Sequence, residues 1–270
     1  MNYIKNIKRT FTLLLAFMLI LSVSGCGNQP KAPYRVVGKA LYTDKLTVIF
    51  RKDDPISQIV SAALAELSAG SDLAELSAKW LDSRDVSIKP NDQALSTLPE
   101  DISIPEERTF IIGFDVNTEP RAAKDAGSYT GFDIDLASRM CAELGWKLRF
   151  QPIMATDVKI ELNSGNIDCA WGFSTGTAAD LSSIDPYLDS QVVFSVSQES
   201  QIKRTAQFKD KVLYVSSQLI KDYIETSEDY TDIFARIRVL DGPAACFKAL
   251  DAGECDVVAV ERLSLEYHCR

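Results

Sequence analysis

The sequence predicts an α/β fold with a mostly parallel sheet, arranged in two blocks. Three observations predict it. From residue 108 onward, apolar strand-like runs alternate with amphipathic segments at helical spacing; Gly145 and Gly253 close helices; and the rhythm restarts at "KVLYV" after the apolar run "SQVVFSV". Strands separated by helices need right-handed crossovers, which makes neighbouring strands parallel. Two such blocks imply two lobes.

The amino terminus is read first. Lys5, Lys8 and Arg9 precede the apolar run "FTLLLAFMLILSV", which "SGC" follows, the order of a secretion signal. The run has about thirteen residues, whereas a spanning helix needs about 20, so it is expected to be cleaved rather than retained. "VSGC" resembles the lipobox of bacterial lipoproteins, which implies cleavage before Cys26 and acylation of its thiol; an ordinary secretory signal with a chance cysteine is the alternative. Doubly acylated residues anchor stably, so the expectation is a soluble body tethered to the outer face of a bacterial cytoplasmic membrane.

A strand, "YRVVGKAL", follows the tether, and "LTVIF" is a second. Asp54-Pro55 opens a helix, with Ile56, Ile59, Val60, Ala63, Leu64 and Leu67 recurring at helical spacing and Gly70 ending it. Ser71 or Asp72 caps another, whose Leu73, Leu76, Trp80 and Leu81 share one face. "KPNDQALSTLPEDISIPEE", residues 89–107, carries three prolines and no sustained period, and reads as a linker. Then come the strand "TFIIGF", a helix from Asp133 to Leu144, the strand "WKLRFQPI", a short helix around Lys159 to Leu162, and the strand "IDCAW". After "SQVVFSV" the second block runs "KVLYV", "SQLIKDYIE", "IRVL", "AACFKAL", "CDVVAV" and the helical "RLSLEYHCR".

The formal net charge is −9, and loss of Lys5, Lys8 and Arg9 with the signal takes it to −12. Nucleic acid is therefore an unsuitable partner. Outside Cys26 there are five cysteines, with no C-x-x-C pair, and one histidine, His268, so a zinc site is not expected. A disulfide from Cys246 to Cys255 or Cys269, or buried free thiols, both remain open. No phosphate-binding glycine motif is present, and no cofactor is expected.

"GFDVNTEP", "YTGFDIDLASRMCAELGWKLRFQPI", "ELNSGNIDCAWGFS", "DPYLDS" and "FKALDAGECDVVAVERLSLEY" together resemble the family 3 extracellular solute-binding proteins of polar amino-acid ABC transporters. "LTVIFRKDDPISQIVSAALAELSAGSDLAELSAKWL" resembles that family's carboxyl-terminal elements, yet stands at residues 46–81. The resemblance therefore implies a circularly permuted type II periplasmic-binding-protein fold with a two-strand hinge. The implied boundaries are a signal at 1–25, a tether at 26–33, second-lobe strand at 34–45 and hinge strand at 46–50. A first-lobe helical hairpin at 51–88, the permutation linker at 89–107 and the first lobe at 108–190 follow, then a hinge strand at 191–197 and the second lobe at 198–270.

The resemblance implies a monomer that captures a small polar solute, an amino acid or amine, between its lobes and delivers it to an ABC permease, with the membrane reached only through the lipid. A zwitterion in a dry cleft needs a carboxylate for its ammonium and donors for its carboxylate. Glu261 stands in the place of the family's acid, which is usually Asp; a solvated helix start is the alternative. The family's arginine has no counterpart in "GFSTGTAADLSSIDPY", and Arg121 is the candidate replacement. Asp115 resembles the acid at the first strand end. Trp171 and Phe173 either stack on a ligand or pack in the core; Ser174, Ser216 and Ser217 occupy hydroxyl positions near the family's ligand carboxylate, or only cap helices. Two other functions stay open: a sensing or protein-interaction lipoprotein with a decayed cleft, and an enzyme resembling cyclohexadienyl dehydratases with Glu261 as acid.

Overall fold

The computed structural model describes residues 32–270 except Ser83 and Asp85. The expected signal, Cys26 and most of the tether lie outside the described residues. In chain order the elements are β1 (Tyr34–Val36), β2 (Tyr42–Phe50), α1 (Ile56–Ala69), α2 (Asp72–Trp80), β3 (Thr109–Phe114), β4 (Ala123–Asp125), β5 (Ser128–Thr130), α3 (Phe132–Glu143), β6 (Lys147–Pro152), α4 (Val158–Ser164), β7 (Cys169–Ser174) and β8 (Ser182–Ser183). β9 (Leu188–Ser197), β10 (Val212–Val215), α5 (Gln218–Thr226), β11 (Arg236–Val239), α6 (Pro243–Asp251), β12 (Val257–Glu261) and α7 (Arg262–His268) complete it.

Ten of these strands form one continuous sheet, in the order β11-β10-β12-β9-β2-β7-β3-β6, with β1 on β9 and β8 on β2. The two expected lobes are thus two halves of one hydrogen-bonded sheet. β10 is parallel to β11 and β12, and β3 is parallel to β6 and β7, as the crossover helices require. The two halves meet where Tyr42–Leu46 of β2 runs antiparallel to Leu188–Val192 of β9. The segments expected as hinge, 46–50 and 191–197, overlap that crossing at Leu46, Gln191 and Val192; past it β2 goes on to pair with β7, and β9 with β12 and β1.

Each half has its own core. Alternate residues of the second half point to opposite faces: Phe194, Leu213, Val215 and Val257 pack with Phe208 and Ile220 on one side, and Val193, Tyr214, Val258 and Val260 pack with Phe247 and Cys246 on the other. The first half buries Val48, Phe50, Phe110, Ile112 and Trp171 against Leu64, Leu76, Phe132 and Met140 of the helices. Asp54 caps α1 as its sequence predicts, its carboxylate accepting the Ile56 N–H at 3.1 Å. The hairpin α1–α2 is tied to α3 by Trp80, whose indole N–H donates to Asp135 at 2.8 Å, and by the Lys79–Asp135 ion pair at 2.7 Å.

Residues 89–107 form no helix or strand, but they are a packed strap rather than a free span. The Asn91 N–H donates to the Ala65 carbonyl at 3.1 Å, the Leu95 N–H to Glu66 at 2.8 Å, and the Trp146 indole to the Pro105 carbonyl at 2.9 Å. Leu95, Leu98 and Ile102 pack on the first core. The short β4–β5 hairpin has no apolar run of its own and is not legible in the sequence. The five described cysteines are free thiols, so the disulfide alternative does not hold. Burial pushes Cys141, Cys246 and Cys255 up to about 12. Among the described residues, no helix is long and apolar enough to cross a membrane.

Leu76 is 2% exposed and fills the contact between the hairpin and the first core. Leu76→Ala should lower unfolding free energy by about 2–5 kcal/mol in denaturant titration.

Candidate functional site

The loop between β3 and β4 builds the centre of the site. Asp115 turns it by accepting the Asn117 N–H at 3.0 Å. The Arg121 N–H donates to the Thr118 carbonyl at 2.9 Å, and the Arg121 carbonyl accepts the Asp133 N–H at 2.9 Å, which fixes the loop against the start of α3. Gly131 makes this approach possible: its φ is +132°, and a Cβ there would lie 2.2 Å from the Arg121 carbonyl oxygen.

Arg121 is 3% exposed. Its Nη1 donates to Asp133 Oδ2 at 3.1 Å and to the Gly172 carbonyl at 3.0 Å. Its Nε and Nη2 form a fork on Glu261, at 3.3 Å and 3.0 Å. Tyr187 donates to the other oxygen of Asp133 at 2.6 Å, and Ser190 donates to Glu261 at 2.8 Å. Gly172, at φ +77°, leaves room for the group, since a Cβ would lie 2.5 Å from Asp133 Oδ2 and 2.9 Å from Arg121 Nη1. Burial works against the Arg121 charge, but Glu261 and Asp133 outweigh it and raise the guanidinium pKa. Arg121 therefore remains a cation between two carboxylates, one from each half of the sheet.

Beside this network lies a cavity of about 120 Å³, lined in part by Tyr42, Asp44, Asp115, Thr118, Phe173, Ser174, Ser216, Ser217, Arg121 and Glu261. It is smaller than the roughly 300–1,000 Å³ usual for drug-sized ligands. Its charged lining is three carboxylates and one guanidinium, and the guanidinium is spent on Glu261 and Asp133. Asp44 accepts the Ser174 hydroxyl at 2.5 Å, and neither it nor Asp115 has a cationic partner within ion-pair distance among the described residues. Burial is the largest influence on both and raises their carboxyl pKa values.

Seven of the eight residues singled out by sequence meet at this cavity: Asp115, Arg121, Phe173, Ser174, Ser216, Ser217 and Glu261. Ser217 also caps α5, accepting the Ile220 N–H at 3.3 Å, so its helix-cap reading holds as well. Trp171 is a correction. It points into the first core at 2% exposure, with its ring centroid 6.3 Å from that of Tyr187, because β2 pairs Val48 with Trp171 but Thr47 with Phe173, and the bulge this leaves at Gly172 breaks the alternation and turns Phe173 away from the face of Trp171. Arg121 reaches the cleft, but its partners are the protein's own carboxylates. Asp44, Asp133 and Ser190 were not singled out. Asp133 and Ser190 stand inside the quoted "GFDIDLA" and "DPYLDS"; Asp44 has no signal beyond preceding an apolar run.

Residues 110–238 match the model of bacterial extracellular solute-binding proteins, family 3. That segment belongs to the family. It runs from β3 to β11 and leaves out both Glu261 and residues 34–81. The fold recurs in solved structures. An ancestral amino acid-binding protein, a precursor of cyclohexadienyl dehydratase, is 25% identical with a TM-score of 0.53, covering 59% of this chain and 73% of its own. A substrate-binding protein of an ABC uptake transporter from Streptococcus pneumoniae, with bound histidine, is 24% identical with a TM-score of 0.53, covering 59% and 68%. Tv2483 bound to L-arginine is 23% identical with a TM-score of 0.52, covering 59% and 68%. Among curated protein sequences nothing matches.

Two outcomes follow from the geometry. Gly172→Ala should destabilise the protein by at least about 1–3 kcal/mol through positive-φ strain alone, with a further loss from displacing Asp133 and Arg121, read as a fall in melting temperature. The second concerns pH. Asp44 and Asp115 hold protons more tightly folded than unfolded, so their contribution is fully present below the unfolded value of about 3.9 and is lost as pH rises through their raised folded values. Removing both, as Asp44→Asn with Asp115→Asn, should flatten the stability-against-pH curve on the acid side of neutrality in urea titrations.

Proposed function

We propose that this chain is the solute-capturing lipoprotein of an ABC importer, tethered through Cys26, and that its solute is a small cation, an amine or a cationic amino acid. The observation that carries the reading is the pair Asp44 and Asp115, half-buried carboxylates facing one cavity without a cationic partner among the described residues, while the arginine that lines it is engaged by Glu261 and Asp133. A buried carboxylate is costly alone and is offset by a cation. Two structural relatives hold bound histidine and L-arginine, which agrees with a cationic solute. Delivery to a permease and the lipid tether rest on the family match and on the leader read in the sequence.

A circular permutation completes the proposal. The sheet is complete only because β1, the first described strand, lies beside β9, and β2 returns between β9 and β7. Cys269 approaches the Tyr34 carbonyl at 3.8 Å, so the two ends of the described chain are neighbours, while the strap of residues 89–107 leads from the α1–α2 hairpin toward β3.

The second reading, a sensing or interaction lipoprotein without transport, is favoured by one observation: the Arg121–Glu261 ion pair joins the two halves through the chain's own side chains. A thermal-shift and calorimetric series with amines, cationic, neutral and acidic amino acids separates the two. The importer reading expects the cationic series alone to raise the melting temperature; ligand at a thousand times its dissociation constant adds about 4.1 kcal/mol. No shift with any cation favours the second reading. A bound cation also draws protons off Asp44 and Asp115, so its affinity should fall in calorimetry as the pH is lowered toward their raised carboxyl values.

A further inference from the structure

Arg121 makes, from within the chain, the contacts that a solute's cation would make. Four hydrogen bonds hold its guanidinium: two to the oxygens of Glu261 across the cleft, one to Asp133 and one to the Gly172 carbonyl. The place is built for it. Gly172 has no Cβ where one would strike the guanidinium, Gly131 has none where one would strike the Arg121 backbone, and Tyr187 and Ser190 complete the shells of the two carboxylates. The same Glu261 borders the cavity that has room for a solute. A solute that needs this carboxylate must first take it from Arg121.

We infer that Arg121 is a tethered occupant of the cleft, a built-in guanidinium that bridges Glu261 and Asp133 in the solute-free protein and competes with incoming cations for Glu261. The inference deepens the reading of this cleft as a cation site and rests on it only for the competition; the guanidinium subsite stands apart from it. Two consequences follow. The two halves of the sheet are latched without solute, and solute affinity is reduced by the fraction of molecules in which Arg121 holds Glu261. Once Arg121 is removed, the vacated place should take a free alkylguanidinium.

The test is Arg121→Ala, which deletes an ethylguanidinium's worth of side chain. Ethylguanidinium and its neutral isostere ethylurea are titrated against both proteins, by melting temperature and calorimetry. The expected result is a lowered melting temperature for Arg121→Ala that ethylguanidinium restores and ethylurea does not, with binding roughly tenfold or more tighter than to the wild type. Equal binding to both proteins, or none to the variant, overturns the inference. If Arg121→Ala does not fold, Glu261→Gln is used, since it leaves Asp133 and Gly172 on the guanidinium. Its solute-free form should be more expanded than the wild type in small-angle X-ray scattering, and an unchanged profile overturns the latch. The cation series on the wild type distinguishes the two failures. Wild-type cation binding without ethylguanidinium rescue sinks the tethered occupant and keeps the importer reading; rescue without any wild-type cation binding does the reverse.

Discussion

The buried guanidinium of Arg121 is the interaction on which the rest of the cleft depends. Removing either partner from such a pair leaves an uncompensated charge in the interior, at a cost of about 3–5 kcal/mol. The surrounding sequence is arranged accordingly: glycines at 131 and 172 clear its path, Tyr187 completes Asp133, and Ser190 completes Glu261. Those residues come from the β3–β4 loop, α3, β7, β9 and the end of β12, so one side chain couples both halves of the sheet. An ion pair between two halves of a protein is also a natural point of control, because the halves cannot separate there without breaking it.

The cavity beside it carries the opposite imbalance. Its carboxylates outnumber its cations once Arg121 is committed, and burial makes Asp44 and Asp115 more willing to hold a proton. A positively charged solute relieves both burdens together. An anion would have to enter against Asp44 and Asp115 with no free arginine to receive it, which separates this cleft from a conventional zwitterion site with a dedicated carboxylate clamp.

Much of the architecture was legible. Alternating strands and helices gave the parallel sheet, and helix starts such as Asp54-Pro55 stand where the cap and ring chemistry put them. The strap over residues 89–107 was read as a linker because its contacts are made by backbone groups and scattered leucines, which have no period to detect. The division into two lobes was read correctly as two cores, but not the single sheet that joins them, since strand pairing between β2 and β9 links residues more than a hundred apart. Trp171 was ambiguous because a buried strand is apolar on both faces, and only the bulge at Gly172, where β7 pairs with β2, separates its face from that of Phe173.

The sequence by itself determined the fold class, the order of its elements and a set of polar residues at strand ends, because local periodicity, caps and charge are all written in short stretches of chain. Only the tertiary structure decided what those polar residues do. Arg121, Asp133 and Glu261 are separated by up to 140 residues, and nothing local reveals that they share one buried site. The sign of the remaining charge in the cavity follows from that pairing, because a carboxylate's role depends on which cation reaches it, and reach is a property of the folded chain alone.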